Sequence, residues 1–140
     1  MSREDRILNW LKEVQAIAPQ KIDWIGVYFK ASYYLNEDST DLVLGPFIGE
    51  DTDHKRIPID KGYCGMALRE EKTVNIDDVT KSDVHIACSL ETRSELVIPL
   101  KDKSGVFIAE LDLDSNTLSA FDKELVSKVK ASCESFSDLL

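Results

Sequence analysis

The sequence predicts an α+β domain in which an antiparallel sheet carries the two terminal helices packed together on one face. Three observations predict it. Both ends of the chain show apolar residues at helical spacing, and the segments between them alternate with a period of two. The order of elements, helix, strands, a loop-rich middle, strands, helix, lacks the regular strand–helix alternation of a parallel sheet. There are no internal repeats, low-complexity tracts or linker-like stretches, so residues 1–140 are expected to form a single domain.

Taken in order, residues 3–18 place Ile7, Leu8, Leu11, Val14 and Ala18 on one helical stripe. Ser2 with Asp5 is a weak capping signal and Pro19 a stop. From Ile22 to Lys30 the period changes, with Ile25, Val27 and Phe29 facing one way and Trp24, Gly26 and Tyr28 the other. A turn over Asn36 to Ser39 leads into a hairpin partner, Asp41 to Phe47. Arg56 to Ile59 is a short extended piece ended by Asp60-Lys61-Gly62; a short helix over Gly65 to Glu70 and a short strand over Thr73 to Ile76 follow. Asp77 to Ser94 keeps no period and is expected to be a long loop with one helical turn, a length that usually marks function. Strands over Glu95 to Leu100 and Val106 to Asp114 come next. A final helix over Phe121 to Leu140, capped by Ser119, carries Phe121, Leu125, Val129, Cys133, Phe136 and Leu140 on its stripe.

The alternation also sorts the polar residues. Phe107, Ala109, Leu111 and Leu113 share one face of their strand, and Glu110, Asp112 and Asp114 the other. Leu96, Ile98 and Leu100 lie opposite Glu95, Val97 and Pro99. If the apolar faces meet the helices, the opposite face carries Trp24, Tyr28, Glu95, Asp112 and Asp114. Alternating acids on an exposed sheet ordinarily serve solubility. Two features weigh against that reading: like charges two apart on one strand face repel, and Trp24 and Tyr28 would be large apolar groups left in water.

Composition narrows the function classes. A net charge of −9 and a pI near 4.7 argue against a nucleic-acid or anionic-membrane surface, which needs clustered Lys and Arg. The amino terminus is charged and without a signal-peptide core, and no run reaches the length of a membrane span. Three cysteines make a structural disulfide framework unexpected and a reducing cytoplasm the natural compartment.

Two of those cysteines sit in unusual settings. Cys64 lies in Gly62-Tyr63-Cys64-Gly65, where the glycines let other groups approach closely. Cys88 closes His85-Ile86-Ala87-Cys88, a short loop before Glu95. The pairing suggests a redox catalyst, although free cysteine is also among the most buried residue types. Cys133 belongs to the final helix's apolar stripe and reads as core. A Cys2His2 metal site from His54, Cys64, His85 and Cys88 lacks the compact paired spacing of a zinc motif, so no metal and no other cofactor is expected.

The combination Trp24-Ile25-Gly26-Val27-Tyr28, Gly45-Pro46-Phe47, Arg56-Ile57-Pro58, Lys61-Gly62-Tyr63-Cys64-Gly65, His85-Ile86-Ala87-Cys88, Ser94-Glu95 and Leu111-Asp112-Leu113-Asp114-Ser115 resembles the free methionine-(R)-sulfoxide reductases, which are single-domain GAF proteins. The match runs from residue 22 to 122 in the right order. The resemblance implies a six-stranded antiparallel sheet with helices on one face and a ligand pocket on the other. It also implies a thiol-dependent reduction of free methionine sulfoxide. Cys88 matches the cysteine that attacks the sulfoxide, and Cys64 a resolving cysteine. Glu95, Asp112 and Asp114 match the acids that hold and protonate substrate, with Glu95 as the proposed proton donor. Trp24 and Tyr28 match the aromatic wall, and Ala87 joins the substrate-binding set. A thioredoxin-type reductant would reopen the disulfide, and homodimerisation stays open. One departure stands out: family members often carry a third cysteine just before the Arg-Ile-Pro stretch, where this chain has His54. Either Cys64 alone resolves the sulfenic acid, or an external thiol does. Ser89 and Glu110 are smaller departures. The alternative reading is a non-catalytic GAF sensor that binds a small molecule.

Overall fold

A computed structural model describes residues 1–81 and 91–140. Helix α1 (Arg3–Gln15) opens the chain, and Ser2 caps it by accepting from the Asp5 amide at 3.1 Å. The helix ends three residues earlier than the periodicity suggests, well before Pro19. Strand β1 (Trp24–Lys30) runs directly into a single turn of helix, α2 (Ala31–Tyr34), that the sequence pattern did not announce. Then come β2 (Leu42–Ile48), β3 (Arg56–Ile57), α3 (Gly62–Glu70), β4 (Val74–Ile76), a 3-10 turn over Val79–Lys81, β5 (Ser94–Lys101), β6 (Phe107–Ser115) and α4 (Lys123–Cys133).

The six strands form one antiparallel sheet in the order β3-β2-β1-β6-β5-β4. The longest strand, β6, sits near its middle between β1 and β5. Ile25, Val27, Phe29, Leu96, Ile98, Leu100, Ala109, Leu111 and Leu113 point to one face, where they pack with Ile7, Leu11 and Val14 of α1 and with Leu125, Val129 and Phe136 of the carboxyl-terminal segment. This is the side on which the sequence placed the helices. Trp10 joins that core although it lies off the expected stripe: its ring meets Phe136 at 5.3 Å, and its indole N–H donates to the Ser132 carbonyl.

Two expectations need correction. The final helix begins at Lys123, with Asp122 as its cap accepting from the Leu125 amide at 2.8 Å. Ser119 instead takes a left-handed conformation in the approach, and the last residues form a separate 3-10 turn over Phe136–Leu139. Phe107 also faces away from Ala109, Leu111 and Leu113. A register irregularity between Leu100 and Lys101 puts Ile108 into the helix-side core and Phe107 on the opposite side.

The second face is covered as well. Helix α3 packs on β4, β5 and β6, and a smaller core of Trp24, Tyr28, Leu42, Ile57, Tyr63, Cys64, Ala67, Leu68, Val74 and Val97 fills the space. Gly65 allows the approach: a Cβ there would stand 2.3 Å from the Ile59 carbonyl oxygen. Gly62 starts the helix at a φ of +65°. The sheet is thus buried on both sides, which is unusual for an antiparallel one and explains why nearly all of β6 is buried.

Candidate functional site

Helix α3 begins at Gly62 rather than Gly65, so Cys64 lies in the first turn of a helix and not in a loop. Its side chain is turned down onto the sheet and is 5 % exposed. Beneath it the pairing of β1, β6 and β5 lays side chains out in three cross-strand rows. Trp24, Asp114 and Glu95 form the first, Gly26, Asp112 and Val97 the second, and Tyr28, Glu110 and Pro99 the third. The acid strand therefore runs between an aromatic strand and a mainly apolar one.

All four carboxyls of this grid are buried, with Glu95 and Asp114 at 2 % and 1 % exposure and Glu110 and Asp112 at 0 %. The Cys64 sulfur and a carboxylate oxygen each of Glu95 and Asp112 lie within 4.8 Å of one another, the one group of potential metal ligands among the described residues. A concentration of acids this dry cannot all ionise. Burial pushes the Glu95 carboxyl well above its ordinary range, and the Asp114 charge pushes it further. Burial raises Glu110 too; contact with the Cys64 thiol takes back part of that shift, while Asp112 adds to it. The Cys64 thiol is driven well above 9.0 by burial first, then by Asp112, Glu110 and Glu95.

The aromatic side of the grid is fixed in place. Trp24 stacks on Tyr28 and Phe47 with ring centroids 6.4 and 5.6 Å away, and its indole N–H donates to the Glu50 carbonyl at 3.0 Å. Gly26 leaves the space the indole occupies, since a Cβ there would stand 2.5 Å from Trp24 Cη2. The Tyr28 hydroxyl donates to the His54 carbonyl at 2.6 Å, which brings His54 to the phenol end of the wall. A cavity of about 50 Å³ bordered by Trp24, Glu50, Glu91 and Asp114 opens beside the first row. Two roomier surface grooves, about 370 and 440 Å³, touch none of the four acids.

Of the residues the sequence singled out, Trp24, Tyr28, Cys64, Glu95, Asp112 and Asp114 converge on this one face. Cys88, Ala87 and His85 lie outside the described residues. Ser94, part of the sequence signature, serves the scaffold: its buried hydroxyl donates to the Thr117 carbonyl at 2.6 Å and ties β5 to the segment before α4. Cys133 is half-buried against the helix-side core, and burial pushes its thiol up to about 12. Sequence reasoning passed over Glu110 and Phe47. The signal for Glu110 was present in the Glu110, Asp112, Asp114 alternation; Phe47 stood in the Gly45-Pro46-Phe47 motif, but its contact with Trp24 depends on strand pairing.

Comparison with known proteins agrees with this fold. The GAF domain family matches residues 12–137. The chain belongs to the GAF family. Within it, the chain is 38% identical over 127 residues to the free methionine-R-sulfoxide reductase of Escherichia coli (strain K12), a match covering 89% of this chain and 72% of that protein. That places it in the free methionine-R-sulfoxide reductase group, whose members are oxidoreductases. The type II free methionine-R-sulfoxide reductase of Thermoplasma acidophilum superposes with a TM-score of 0.85 at 28% identity, covering 98% of this chain and 91% of that one. GAF domain-containing protein A of Dictyostelium discoideum is 43% identical over 96 residues, 69% of this chain, and the match spans only 60% of the length of that relative.

Proposed function

We propose that this GAF protein is a thiol-dependent reductase that converts free L-methionine-(R)-sulfoxide to methionine. The observation that carries the reading is the buried grid itself, in which four carboxyls lie under a cysteine-bearing helix and beside a stacked indole and phenol. The acids suit a substrate ammonium, which would restore the charge balance that burial disturbs. The aromatic wall suits the methyl–sulfur end. A closed site that needs a free ammonium favours the amino acid over a residue within a peptide.

In this reading the Cys88 thiolate attacks the sulfoxide sulfur and forms an S–S bond, while Glu95, kept protonated by its surroundings, gives its proton to the sulfoxide oxygen. The oxygen then passes to the Cys88 sulfur as the S–O and S–S bonds to the substrate break, so methionine leaves reduced and Cys88 is oxidised to a sulfenic acid. Cys64 then attacks that sulfur. An S–S bond forms, the S–O bond breaks, and the hydroxyl departs with a proton as water. A thioredoxin-type dithiol reopens the disulfide by exchange and is itself oxidised. Free thiols of this kind belong in a reducing, cytoplasmic setting; none of the described helices is long and apolar enough to cross a membrane. The entire chain acts as a single GAF unit in this scheme.

The test is NADPH oxidation coupled through thioredoxin reductase and thioredoxin, run with each epimer of methionine sulfoxide. Turnover of the (R) epimer alone is expected. Binding without turnover of either would instead favour a sensor module.

A further inference from the structure

The proposed reaction does not by itself explain why a cysteine shares a dry pocket with so many acids. The Cys64 sulfur from α3, one Glu95 oxygen from β5 and one Asp112 oxygen from β6 lie within 4.8 Å of one another, and all three residues are buried. A tetrahedral zinc ion, with bonds of about 2.0–2.3 Å, spaces its ligand atoms about 3.3–3.8 Å apart. The three atoms therefore need to close by about 1.5 Å at most. This is not the Cys2His2 set weighed from the sequence. Only Cys64 is common to both, and strand pairing rather than spacing assembles the rest.

An independent observation also points to a cation. Glu110 is 0 % exposed, and neither of its carboxylate oxygens has a hydrogen-bond partner of standard geometry. It stands two residues before Asp112 on the same pleat of β6, about 7 Å along the strand, within reach of a long side chain. Its row neighbours do not serve it: the Tyr28 hydroxyl donates to the His54 carbonyl, and Pro99 has no N–H. Asp112 and the Cys64 thiol both perturb its ionisation, as close neighbours do. No Lys or Arg is buried among the described residues, so none stands within this interior to balance the acids.

We propose that Cys64, Glu95 and Asp112, with Glu110 as fourth donor, form a site for a zinc-class divalent cation that competes with substrate. The thiolate selects Zn2+ over hard Mg2+, and the carboxylates complete the shell. Binding forms a metal–sulfur bond and releases the thiol proton to solvent, with no change of oxidation state. An approach exists beside the first row, where the cavity of about 50 Å³ is bordered by Glu50, Glu91 and Asp114. A bound ion would occupy the Glu95 oxygen, the Cys64 sulfur and the place of the substrate ammonium, so metal and methionine sulfoxide exclude one another. That inhibitory part rests on the reading of the pocket as a reductase site; the metal site itself does not.

The test uses full-length, chelator-stripped protein carrying Cys88→Ser and Cys133→Ser, which leaves Cys64 as its one thiol. Cd2+ should bind one equivalent with a thiolate-to-metal charge-transfer band, and Zn2+ should displace it with a Kd below about 1 μM, whereas Mg2+ should not compete. Folded Glu110→Gln and Asp112→Asn proteins should each weaken Zn2+ binding at least about tenfold. Absence of the band, or a folded Cys64→Ser protein that holds Zn2+ as tightly as its parent, would overturn the site. Parent-like affinity in Glu110→Gln would overturn the fourth donor. Methionine-(R)-sulfoxide should raise the apparent Zn2+ Kd in proportion to its concentration. If the sulfoxide binds the metal-free protein by calorimetry yet leaves the Zn2+ Kd unmoved, the competition is refuted. If it does not bind at all, the reductase reading fails while the metal site stands on its cadmium band.

Discussion

Replacing Gly26 by alanine probes the pocket with the smallest possible addition. The new Cβ would stand 2.5 Å from Trp24 Cη2 and 2.9 Å from both Trp24 Cζ3 and Phe47 Cβ. Carbons prefer about 3.5–4.0 Å, so the indole must retreat by roughly 1 Å. It has little freedom to do so. Its N–H is held by the Glu50 carbonyl, Phe47 stacks on it, and Gly49 approaches so closely that a Cβ at that position would meet Trp24 Cδ1 at 2.6 Å. Overpacking of this kind costs roughly 1–3 kcal/mol. For a chain of this length that is a fall of roughly 3–10 °C in Tm. Because the displaced group is the wall of the pocket, KM for methionine sulfoxide should rise as well. Ile25→Val, one residue away on the helix-side face, is the control: it should cost about 1 kcal/mol and leave KM alone. Calorimetry and steady-state kinetics on the two variants decide the matter. A Gly26→Ala protein with wild-type Tm and KM would refute the packing argument.

Other outcomes follow from the same geometry. Tyr28→Phe removes the hydroxyl that holds the His54 carbonyl and should lower stability by about 1 kcal/mol in urea unfolding, the worth of one buried hydrogen bond. Ser94→Ala leaves the Thr117 carbonyl without its donor and should cost roughly 1–3 kcal/mol by the same measurement, without altering the pocket. The folded protein holds protons on Glu95 and Glu110 to well above 4.5, so it binds more protons than the unfolded chain. Their contribution is complete below that pH and is lost as pH rises through the folded values. Ligand-free Tm should accordingly rise as pH falls from 8 toward 5, and Asp114→Asn, which removes a charge that raises Glu95, should flatten that slope in a thermal scan. Cys88→Ser should abolish turnover, whereas Cys64→Ser should spare one stoichiometric reduction and slow recycling at least several-fold in the thioredoxin-coupled assay.

The strands, their faces and the side that takes the helices were legible because period-two alternation survives in β1, in β5 and, from Ala109 onward, in β6. Trp24, Tyr28, Glu95, Asp112 and Asp114 could be assigned to one face on that ground alone. Their burial could not, since alternating acids read the same on a wet surface as beneath α3. The start of α3 was hidden by Gly62 and Gly65, which resemble loop residues. Only packing reveals that Gly62 supplies a positive φ and Gly65 a close approach to the Ile59 carbonyl. The inward shift of Ile108 escaped notice for a related reason: a bulge changes which residues share a face without changing their spacing.

A strand of nine residues with carboxyls on one pleat and aliphatic groups on the other does not tolerate a slip of one residue. Sliding β6 by a single residue against either neighbour would drive three acids in among the helices and leave leucines where the carboxyls had been. The same side chains that would meet a ligand thus also hold β6 in register with both neighbours. Neutralising all of them should weaken that constraint, and the loss should register in refolding yield, a property remote from catalysis.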